Sequence, residues 1–347
     1  MTNFFIIKIF ALTIISFVVT IVWTPFLTHI LYKYKLGKGI RDAEVAPVFA
    51  KMHAKKAGTP TMGGILVWGT TLVLILLFFY LSKIFNNIFS DLNFLSRRET
   101  FLPLGALVVS ALVGLVDDLF DIWRKGKHGG GLTMKHRILI YGIIALVGAV
   151  WFYYKLDWTV LHVPFMGNFE IGWWYIPFFM FVIISTAFSV NEVDGLDGLA
   201  GGTLLAAFCA YGAIAFSLGR YDLAAFCGVI TGALLAFLWF NINPARFFMG
   251  DTGAMSLGVT LGIIAMMTNY ALLLPIIGFL FVIESMSVLV QLTSKKIFKR
   301  KIFISTPIHH HFEAIGWPEG KIVMRFWVVA GMSAIVGLVI FLLDRGL

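Results

Sequence analysis

Apolar residues in this chain form long runs that short polar segments interrupt. A helix that crosses a bilayer needs about 20 consecutive apolar residues. The pattern predicts ten such helices, at 4–31, 63–85, 101–119, 138–154, 176–190, 199–218, 223–240, 252–268, 270–292 and 326–343. The first run is too long for a signal peptide and lacks a small-residue cleavage pattern, so we predict that it is retained. The fold class is therefore an all-α polytopic membrane protein, with residues 1–347 forming a single integral-membrane domain.

The amino-acid composition also supports a membrane protein. Hydrophobic residues make up 59% of the chain and charged residues only 13%, whereas a soluble domain carries about 25% charged residues. This composition excludes a water-soluble fold. Cys209 and Cys227 lie in apolar runs without metal or redox spacing, which is typical of free thiols.

The net charge of +9 is compatible with nucleic-acid binding, so the distribution of the charges has to decide. Segments after the odd-numbered predicted helices hold 20 of the 27 Lys and Arg residues. The positive-inside rule then predicts that these segments are cytoplasmic and that both termini are periplasmic or extracellular. The distribution of Lys and Arg therefore indicates how the chain is oriented in the membrane, and it argues against a nucleic-acid partner. On the outer side, residues 155–175 alternate aromatic and polar residues around two glycines, which predicts a small hairpin.

The third predicted helix ends in LVGLVDDLFD, with Asp117, Asp118 and Asp121. Adjacent carboxylates repel each other unless a cation or a basic side chain lies between them. Mg²⁺ prefers one or two carboxylates together with water and substrate phosphates. The alternative is a solvated helix end in which the acids pair with Arg124 and Lys125.

Two further acidic motifs lie in segments predicted to be cytoplasmic. NEVDGLDGLAGG carries Asn191, Asp194 and Asp197 before a predicted helix, where glycines and a helix N-terminus suit a phosphate or a sugar. The alternative is a tight turn. FNINPARFFMGDTG supplies Asn241, Phe248 and Asp251, and Asp251 is interpreted either as a metal ligand or as the N-cap of the eighth predicted helix.

Basic and imidazole groups lie in the remaining cytoplasmic segments. The first loop reads HAKKAGTPTMGG, which is a possible diphosphate cradle without the Walker A order, or else a contact with lipid head groups. Its polar members are His53, Lys55, Lys56, Thr59 and Thr61. PIHHHFE adds His309, His310 and His311, for which we favour substrate contact over a structural cluster or a zinc site, since zinc ligands are usually spaced. Acids and bases together on one membrane face suit a metal–diphosphate reaction in one cytoplasmic cleft.

These motifs together carry a family resemblance from Gly37 to Trp327. They are GTPTMGG at 58–64, VDDLFD at 116–121, DGLDGLA at 194–200, FLWFN at 237–241, FMGDTG at 248–253 and PIHHHFE at 307–313. The chain resembles the phospho-N-acetylmuramoyl-pentapeptide transferase (MraY) family of the polyprenyl-phosphate N-acetylhexosamine-1-phosphate transferase superfamily. The acidic loops are shared across the superfamily, whereas GTPTMGG and the triple histidine are specific to this branch.

The resemblance implies ten transmembrane helices, outside termini and a multi-pass protein of the bacterial inner membrane. It implies transfer of phospho-MurNAc-pentapeptide from UDP-MurNAc-pentapeptide to undecaprenyl phosphate, which gives lipid I and UMP in peptidoglycan synthesis. Mg²⁺ is the implied cofactor, and a homodimer is the implied assembly.

The resemblance also implies roles for single residues. Asp251 is the principal Mg²⁺ ligand, and Asp117 and Asp118 form a catalytic pair at the same metal. Nucleotide, diphosphate or other substrate contacts are Lys56, Thr61, Lys125, Lys135, Asn191, Asp194, Asp197, Asn241, Phe248, Gln291, His309, His310 and His311, with Phe248 stacking on uracil.

The chain departs from the family at four positions. The family commonly reads NAVNLTDGLDG, whereas this chain has FSVNEVDGLDG, with Phe188, Glu192 and Val193 as the changed residues. Ala254 stands where a serine usually follows GDxG. These departures concern the nucleoside pocket and not the class of reaction.

Three alternatives remain open at the level of sequence. Transfer in one step, by attack of the lipid phosphate on the sugar-linked phosphorus, competes with a two-step route through an aspartyl-phosphate. A sister transferase that uses UDP-GlcNAc competes with the muramoyl donor. An ion-coupled transporter would need ionisable residues near the membrane midplane, for which Glu284 is the main candidate.

Overall fold

The computed structural model describes residues 2–37, 56, 58–85, 88–96, 99–123, 125 and 130–346. Within these residues the chain is mostly helical. The helices are α1 (Thr2–Lys33), α2 (Ile65–Ile84), α3 (Ile88–Leu92), α4 (Phe101–Ile122), α5 (Met134–Lys155), α6 (Tyr175–Val193), α7 (Leu199–Ser217), α8 (Tyr221–Asn241), α9 (Gly250–Thr268), α10 (Leu274–Ile277), α11 (Phe279–Ile297), α12 (Ile308–Ala314) and α13 (Glu319–Asp344). The strands are β1 (Val160–Val163) and β2 (Gly167–Glu170), which pair antiparallel with Val160 opposite Glu170.

The number of membrane spans matches the prediction from the apolar runs. In the described part of the chain, nine helices are long and apolar enough to cross a bilayer. A tenth span follows if the bent pair 271–277 and 279–297 is one crossing, and these two pieces meet at an angle of 81°. The break falls at Gly278, whose backbone is not helical.

Helix α9 lies at the centre of the bundle, and every one of its 19 residues is buried. Its neighbours approach closely because glycines line the contacts. A Cβ on Gly258 would lie 2.9 Å from Cα of Ala187 in α6, and a Cβ on Gly114 of α4 would lie 2.4 Å from the carbonyl oxygen of Asp251. Small residues are the usual means by which membrane helices pack backbone against backbone.

Several helix boundaries differ from the predicted spans, and four of them affect the site or the ends of the bundle. Helix α5 begins at Met134 and α13 at Glu319, four and seven residues before the predicted starts at 138 and 326. Helix α4 continues to Ile122, so its three aspartates lie inside its last turns. Charged residues lower the apolar content of a helix end but do not stop the helix from forming. Asp251, predicted to precede its helix, is the second residue of α9.

Both ends of the described chain lie at the end of the bundle opposite the α4 aspartates. Near the first residues, Phe5 stacks on Tyr221 at the start of α8, with ring centroids 3.9 Å apart. At the other terminus, Asp344 contacts His162 of the hairpin. This arrangement agrees with an even number of crossings. Which membrane face each end occupies stays a prediction from the positive-inside rule.

At that same end, Glu99 binds the start of α8. Its Oε2 accepts the backbone N–H groups of Asp222 and Leu223, each at 3.0 Å. The first N–H groups of a helix have no acceptor within the helix, so a carboxylate from elsewhere can satisfy them. Burial raises the pKa of the Glu99 carboxyl above its ordinary value.

The predicted hairpin between residues 155 and 175 is confirmed, and Asp344 anchors it to the bundle. Asp344 Oδ2 lies 2.7 Å from His162 Nε2 and accepts the Tyr270 hydroxyl at 2.8 Å. Its Oδ1 accepts the backbone N–H of Phe165 at 2.5 Å. The last residue of α13 thus joins the hairpin, the end of α9 and its own helix.

We expect Asp344→Ala to destabilise the protein, because His162, the backbone N–H of Phe165 and the Tyr270 hydroxyl lose the ionised acceptor that they share. Loss of hydrogen bonds to a charged group costs ~1.5–3 kcal/mol, which lowers the thermal unfolding midpoint in detergent measured by tryptophan fluorescence. Asp157→Asn is the matched control, since Asp157 is exposed and has a positive φ that asparagine tolerates. Equal midpoints for the two variants would contradict the anchoring role.

Candidate functional site

Asp117 and Asp118 lie in the last turns of α4, and neither side chain is exposed. Successive residues on a helix point about 100° apart, so the two carboxylates reach different partners. Asp118 faces the start of α9, and Asp117 faces the start of α5. We name Asp117, Asp118, Asp251, Asn191 and Arg137 the aspartate cluster.

Asp118 binds the N-terminus of α9 from outside that helix. Its Oδ1 accepts the backbone N–H of Asp251 and the hydroxyl of Thr61, both at 3.1 Å. Its Oδ2 accepts the backbone N–H of Thr252 at 3.0 Å. The buried start of a helix has N–H groups without internal acceptors and a partial positive charge, and both favour a carboxylate there. These contacts give Asp118 an anchoring role that the sequence did not predict.

Gly250, the first residue of α9, makes this approach possible. Its φ is +75°, a backbone conformation that suits glycine. A Cβ on Gly250 would lie 2.5 Å from Thr61 Oγ1 and 2.7 Å from Asp118 Oδ2. Its own N–H donates to Asp194 Oδ2 at 3.2 Å. The first three N–H groups of α9 are therefore bound by aspartates from α4 and from the 194–198 loop.

Arg137 lies between Asp117 and Asp251. Its Nη2 is 2.8 Å from Asp117 Oδ2 and donates to Asp251 Oδ2 at 3.0 Å. Asp117 Oδ1 also accepts the backbone N–H of Leu132 at 2.5 Å. A basic side chain thus offsets the charge of Asp117, as the sequence predicted for the VDDLFD acids, although it links Asp117 to Asp251 and not to the adjacent Asp118. Residues 124 and 126–129 lie outside the described part of the chain, so the predicted pairing of the acids with Arg124 is not described.

Asn191 completes the cluster. It accepts from Arg137 Nη1 at 2.8 Å and donates through Nδ2 to Asp251 Oδ1 at 2.6 Å. Both carboxylate oxygens of Asp251 therefore have protein donors. Asp251 does not cap α9, because Met249 occupies the N-cap position.

The sequence prediction did not include Arg137. A signal was available, since an arginine next to a long apolar run is costly in a membrane and usually has a partner. The predicted span began at 138, which placed Arg137 in a loop. In the structure it is the fourth residue of α5, and its side chain is 16% exposed.

A second group of charges surrounds Lys56. Its Nζ lies 2.7 Å from Asp197 Oδ1 and 2.5 Å from Glu319 Oε1. Asn243 Nδ2 donates to the other oxygen of each acid, at 2.9 Å in both cases. We name these four residues the Lys56 cluster. Glu319 and Asn243 were not predicted, because an acid that starts a helix and a polar residue before proline have ordinary structural explanations.

Asn241 and Phe248 lie beside the Lys56 cluster. Asn241 is buried, accepts the N–H of Gly198 at 3.0 Å and donates to the carbonyl of Phe247 at 2.8 Å. It thereby joins the 194–198 loop to the segment after α8. The half-buried Phe248 ring lies with its centroid 5.9 Å from Lys56 Nζ.

Two of the three consecutive histidines face the 194–198 loop. A Cβ on Gly195 would lie 2.2 Å from His309 Nε2 and 3.2 Å from His310 Nε2. On their other sides, His309 Nδ1 is 3.0 Å from the fully buried Glu284, and His310 Nδ1 is 2.6 Å from Glu313. Each of these two imidazoles therefore lies between a glutamate and the 194–198 loop.

The remaining histidine and Gln291 bind the chain between α11 and α12. His311 accepts the N–H of Ile304 at 3.3 Å. Gln291 is buried in α11, where its Oε1 accepts the N–H groups of Ile302 and Phe303, at 3.0 and 3.1 Å. A substrate role for Gln291 and His311 stays a prediction.

The remaining predicted contacts lie in or next to the first two segments predicted to be cytoplasmic. Lys125 and Lys135 are exposed, and no hydrogen bond joins either of them to the aspartate cluster within the described residues. His53 and Lys55 lie outside the described residues. Thr59 is described, and its backbone N–H donates to the carbonyl of Lys56 at 3.2 Å.

The donors of the aspartate cluster fit a hard divalent cation. Oδ2 of Asp117 and Oδ2 of Asp251 converge on one positively charged nitrogen, and carboxylate oxygens are the ligands that Mg²⁺ prefers. Among the residues that the structure describes, no group of three or more His, Cys, Asp or Glu side chains is arranged as a metal site. Mg²⁺ at this cluster therefore stays a prediction.

Comparison with known proteins shows which sequence families the chain matches. A sequence profile of Glycosyl transferase family 4 matches residues 100–269, which include the aspartate cluster. Phospho-N-acetylmuramoyl-pentapeptide-transferase signature 1 matches residues 56–66.

Curated relatives match over most of their length. A phospho-N-acetylmuramoyl-pentapeptide-transferase of Chloroflexus aggregans is 36% identical over 336 residues, which cover 93% of this chain and 86% of the relative. The enzyme of Geobacillus thermodenitrificans is 37% identical over 330 residues, 94% and 95% of the two chains. That of Clostridium perfringens is 38% identical over 323 residues, 93% and 95%.

We expect Asp118→Ala to destabilise the protein more than Asp118→Asn. Alanine leaves the buried N–H groups of Asp251 and Thr252 without an acceptor, which costs ~1–3 kcal/mol for each unsatisfied buried group. Asparagine keeps one acceptor oxygen. Thermal unfolding in detergent should therefore rank wild type first, Asp118→Asn second and Asp118→Ala last. The anchoring role would be refuted by an alanine variant as stable as wild type.

Proposed function

This chain belongs to the phospho-N-acetylmuramoyl-pentapeptide-transferase family, and on that premise we propose how its site works. The reaction is transfer of phospho-MurNAc-pentapeptide from UDP-MurNAc-pentapeptide to undecaprenyl phosphate, which gives lipid I and UMP. The observation that carries the proposal is the convergence, at one end of the bundle, of residues predicted for the site from three helices and two loops, together with Arg137 of α5. By the positive-inside rule that end faces the cytoplasm, in the bacterial inner membrane.

Asp117 and Asp251 would hold Mg²⁺, because their Oδ2 atoms already converge on a cation. The chemistry that the ion supplies when bound is neutralisation of the charge that develops on the UMP leaving group. Asp118 contributes by fixing the start of α9, so that Asp251 is held in position. Asn191 orients the Asp251 carboxylate through its 2.6 Å hydrogen bond.

The acceptor needs little activation. Its phosphate has a second pKa near 6 by analogy with other phosphomonoesters, so it is largely dianionic at neutral pH. We propose direct attack on the sugar-linked phosphorus in one step, with Asp117 orienting the acceptor or taking its residual proton. A covalent phospho-sugar trapped on acid-quenched enzyme would instead establish the two-step route.

The Lys56 cluster and the histidines form the donor side of the site. We propose that Lys56 and Asn241 contact the nucleotide or its diphosphate, that Phe248 stacks on uracil, and that His309 and His310 contact the rest of the donor. Two facts support this. The Lys56 ammonium lies beside the Phe248 ring, and the two imidazoles face the loop that carries Asp194 and Asp197. The homodimer implied by the resemblance stays a prediction.

Transport is disfavoured by the surroundings of Glu284. This residue was the main candidate for an ion carrier, and it is bound to His309, whose ring faces the 194–198 loop. It therefore belongs to the end of the bundle that holds the aspartate cluster. The sister donor UDP-GlcNAc remains the alternative within the same chemistry.

We expect Asp251→Ala to abolish turnover, because it removes one of the two oxygen donors that converge between α4 and α9. The measurement is UMP release and lipid-linked sugar formation in nanodiscs with UDP-MurNAc-pentapeptide, undecaprenyl phosphate and Mg²⁺. EDTA should abolish the wild-type reaction.

The control for that assay is Asp157→Asn, an exposed acid at the other end of the bundle, which should retain wild-type turnover. Exclusive turnover of UDP-GlcNAc by folded wild-type protein would refute the donor. Turnover that survives EDTA or the Asp251 substitution would refute the metal site.

We expect Gly195→Ala to lower turnover strongly, because its Cβ would displace the His309 ring, which lies 2.2 Å away. Gly142→Ala is the matched control, since Gly142 has open space around its Cβ position. Rates in the same nanodisc assay, with thermal unfolding measured in parallel, separate a displaced ring from a misfolded chain. Undiminished turnover in Gly195→Ala would contradict the proposal that His309 and His310 contact the donor.

A further inference from the structure

Arg137 holds a position that a divalent cation would also need. Its Nη2 contacts Oδ2 of Asp117 at 2.8 Å and Oδ2 of Asp251 at 3.0 Å, while Nη1 contacts Asn191 at 2.8 Å. The Arg137 side chain is only 16% exposed, so water contributes little to the charge balance. Among the described residues, the guanidinium is the positive charge in direct contact with both carboxylates, and it offsets their mutual repulsion.

A metal ion and this guanidinium cannot use the same two oxygens at once. Mg²⁺ binds oxygen at about 2.0–2.1 Å, so an ion bound by both Oδ2 atoms would compete for the space beside them that Nη2 now occupies at 2.8 and 3.0 Å. Two like charges also repel strongly at such distances in a poorly solvated site. Metal entry therefore requires Nη2 to move away from Asp117 and Asp251.

The displaced guanidinium has a second use in this site. Arg137 Nε is buried and has no hydrogen-bond partner among the described residues. Nε and Nη2 form one edge of the planar group, and such an edge matches two oxygens of a phosphate. Nη1 can remain on Asn191 while this edge turns to a new acceptor.

We propose that Arg137 is the resident cation of the aspartate cluster, that a divalent metal displaces it from Asp117 and Asp251, and that it then binds phosphate oxygens of the donor diphosphate. This proposal rests on the proposed function, since it assumes a metal and a diphosphate at this site. Metal and diphosphate then favour each other, because each removes an obstacle to the other. Lysine at this position would supply the charge without the two-pronged edge.

The test is Mn²⁺ binding to purified full-length protein in nanodiscs, without substrate, followed by electron paramagnetic resonance. Arg137→Gln removes the competing charge, so we expect its Mn²⁺ affinity to exceed that of wild type by about tenfold, within the range typical of coupled sites. Arg137→Lys should fall between the two, since lysine keeps the positive charge but lacks the planar fork of donors with which arginine holds Asn191 and both carboxylates. If Arg137→Gln does not fold, the shift in Arg137→Lys carries the test.

Lys155→Gln is the matched control, because it removes one positive charge from the exposed far end of the same helix. Its Mn²⁺ affinity should equal that of wild type. Equal or weaker Mn²⁺ binding by both folded Arg137 variants, together with wild-type Mn²⁺ affinity in Lys155→Gln and EDTA-sensitive turnover by the wild-type enzyme, overturns the role of Arg137 alone. Absence of Mn²⁺ binding in every form, together with turnover that survives EDTA, overturns the metal part of the proposed function as well.

Discussion

The buried N-terminus of α9 is the constraint around which this end of the molecule is built. All of α9 is enclosed by other helices, so its first N–H groups cannot turn to water. Asp118 and Asp194 supply the acceptors, and Thr61 donates to the same Asp118 carboxylate. Satisfying one helix end therefore brings α4, the 194–198 loop and the GTPTMGG segment together. A similar solution operates at the opposite end, where Glu99 binds the start of α8.

Several ionised aspartates can lie close together only where positive charge offsets their mutual repulsion. Arg137 provides it for Asp117 and Asp251, and Lys56 provides it for Asp197 and Glu319. The two cations thus define two separate charge clusters, to which the proposed function assigns the metal with the acceptor phosphate and the nucleotide, respectively. In the proposed function, these same charges are the ones that a diphosphate and a metal ion engage, which would link the stability of the site to its function.

The two ends of the bundle differ in what their polar contacts do. Asp344, His162 and Tyr270 tie the hairpin to the helices, and their contacts are mutually satisfied. At the site end, the polar groups lie on loops and helix ends that are joined by individual side chains, such as Asn241 and Asn191, each of which has two hydrogen-bond partners. The broken pair 271–277 and 279–297 brings Glu284 to the His309 side chain, so the bend also shapes the site.

The sequence by itself determined the class of the protein, the number of spans, the hairpin and the residues that gather at one end. Those features follow from the length of apolar runs and from polar groups that are too costly to place elsewhere in a membrane. It also identified Asp117, Asp251 and Asn191 correctly as neighbours, through their shared place at helix ends. Only the tertiary structure decided that Asp118 anchors α9 while Asp117 faces Arg137, and that Glu319 and Asn243 join Lys56. Neighbours on a helix diverge by about 100°, and ion pairs join residues far apart in the chain, so these partners depend on packing that no local pattern encodes.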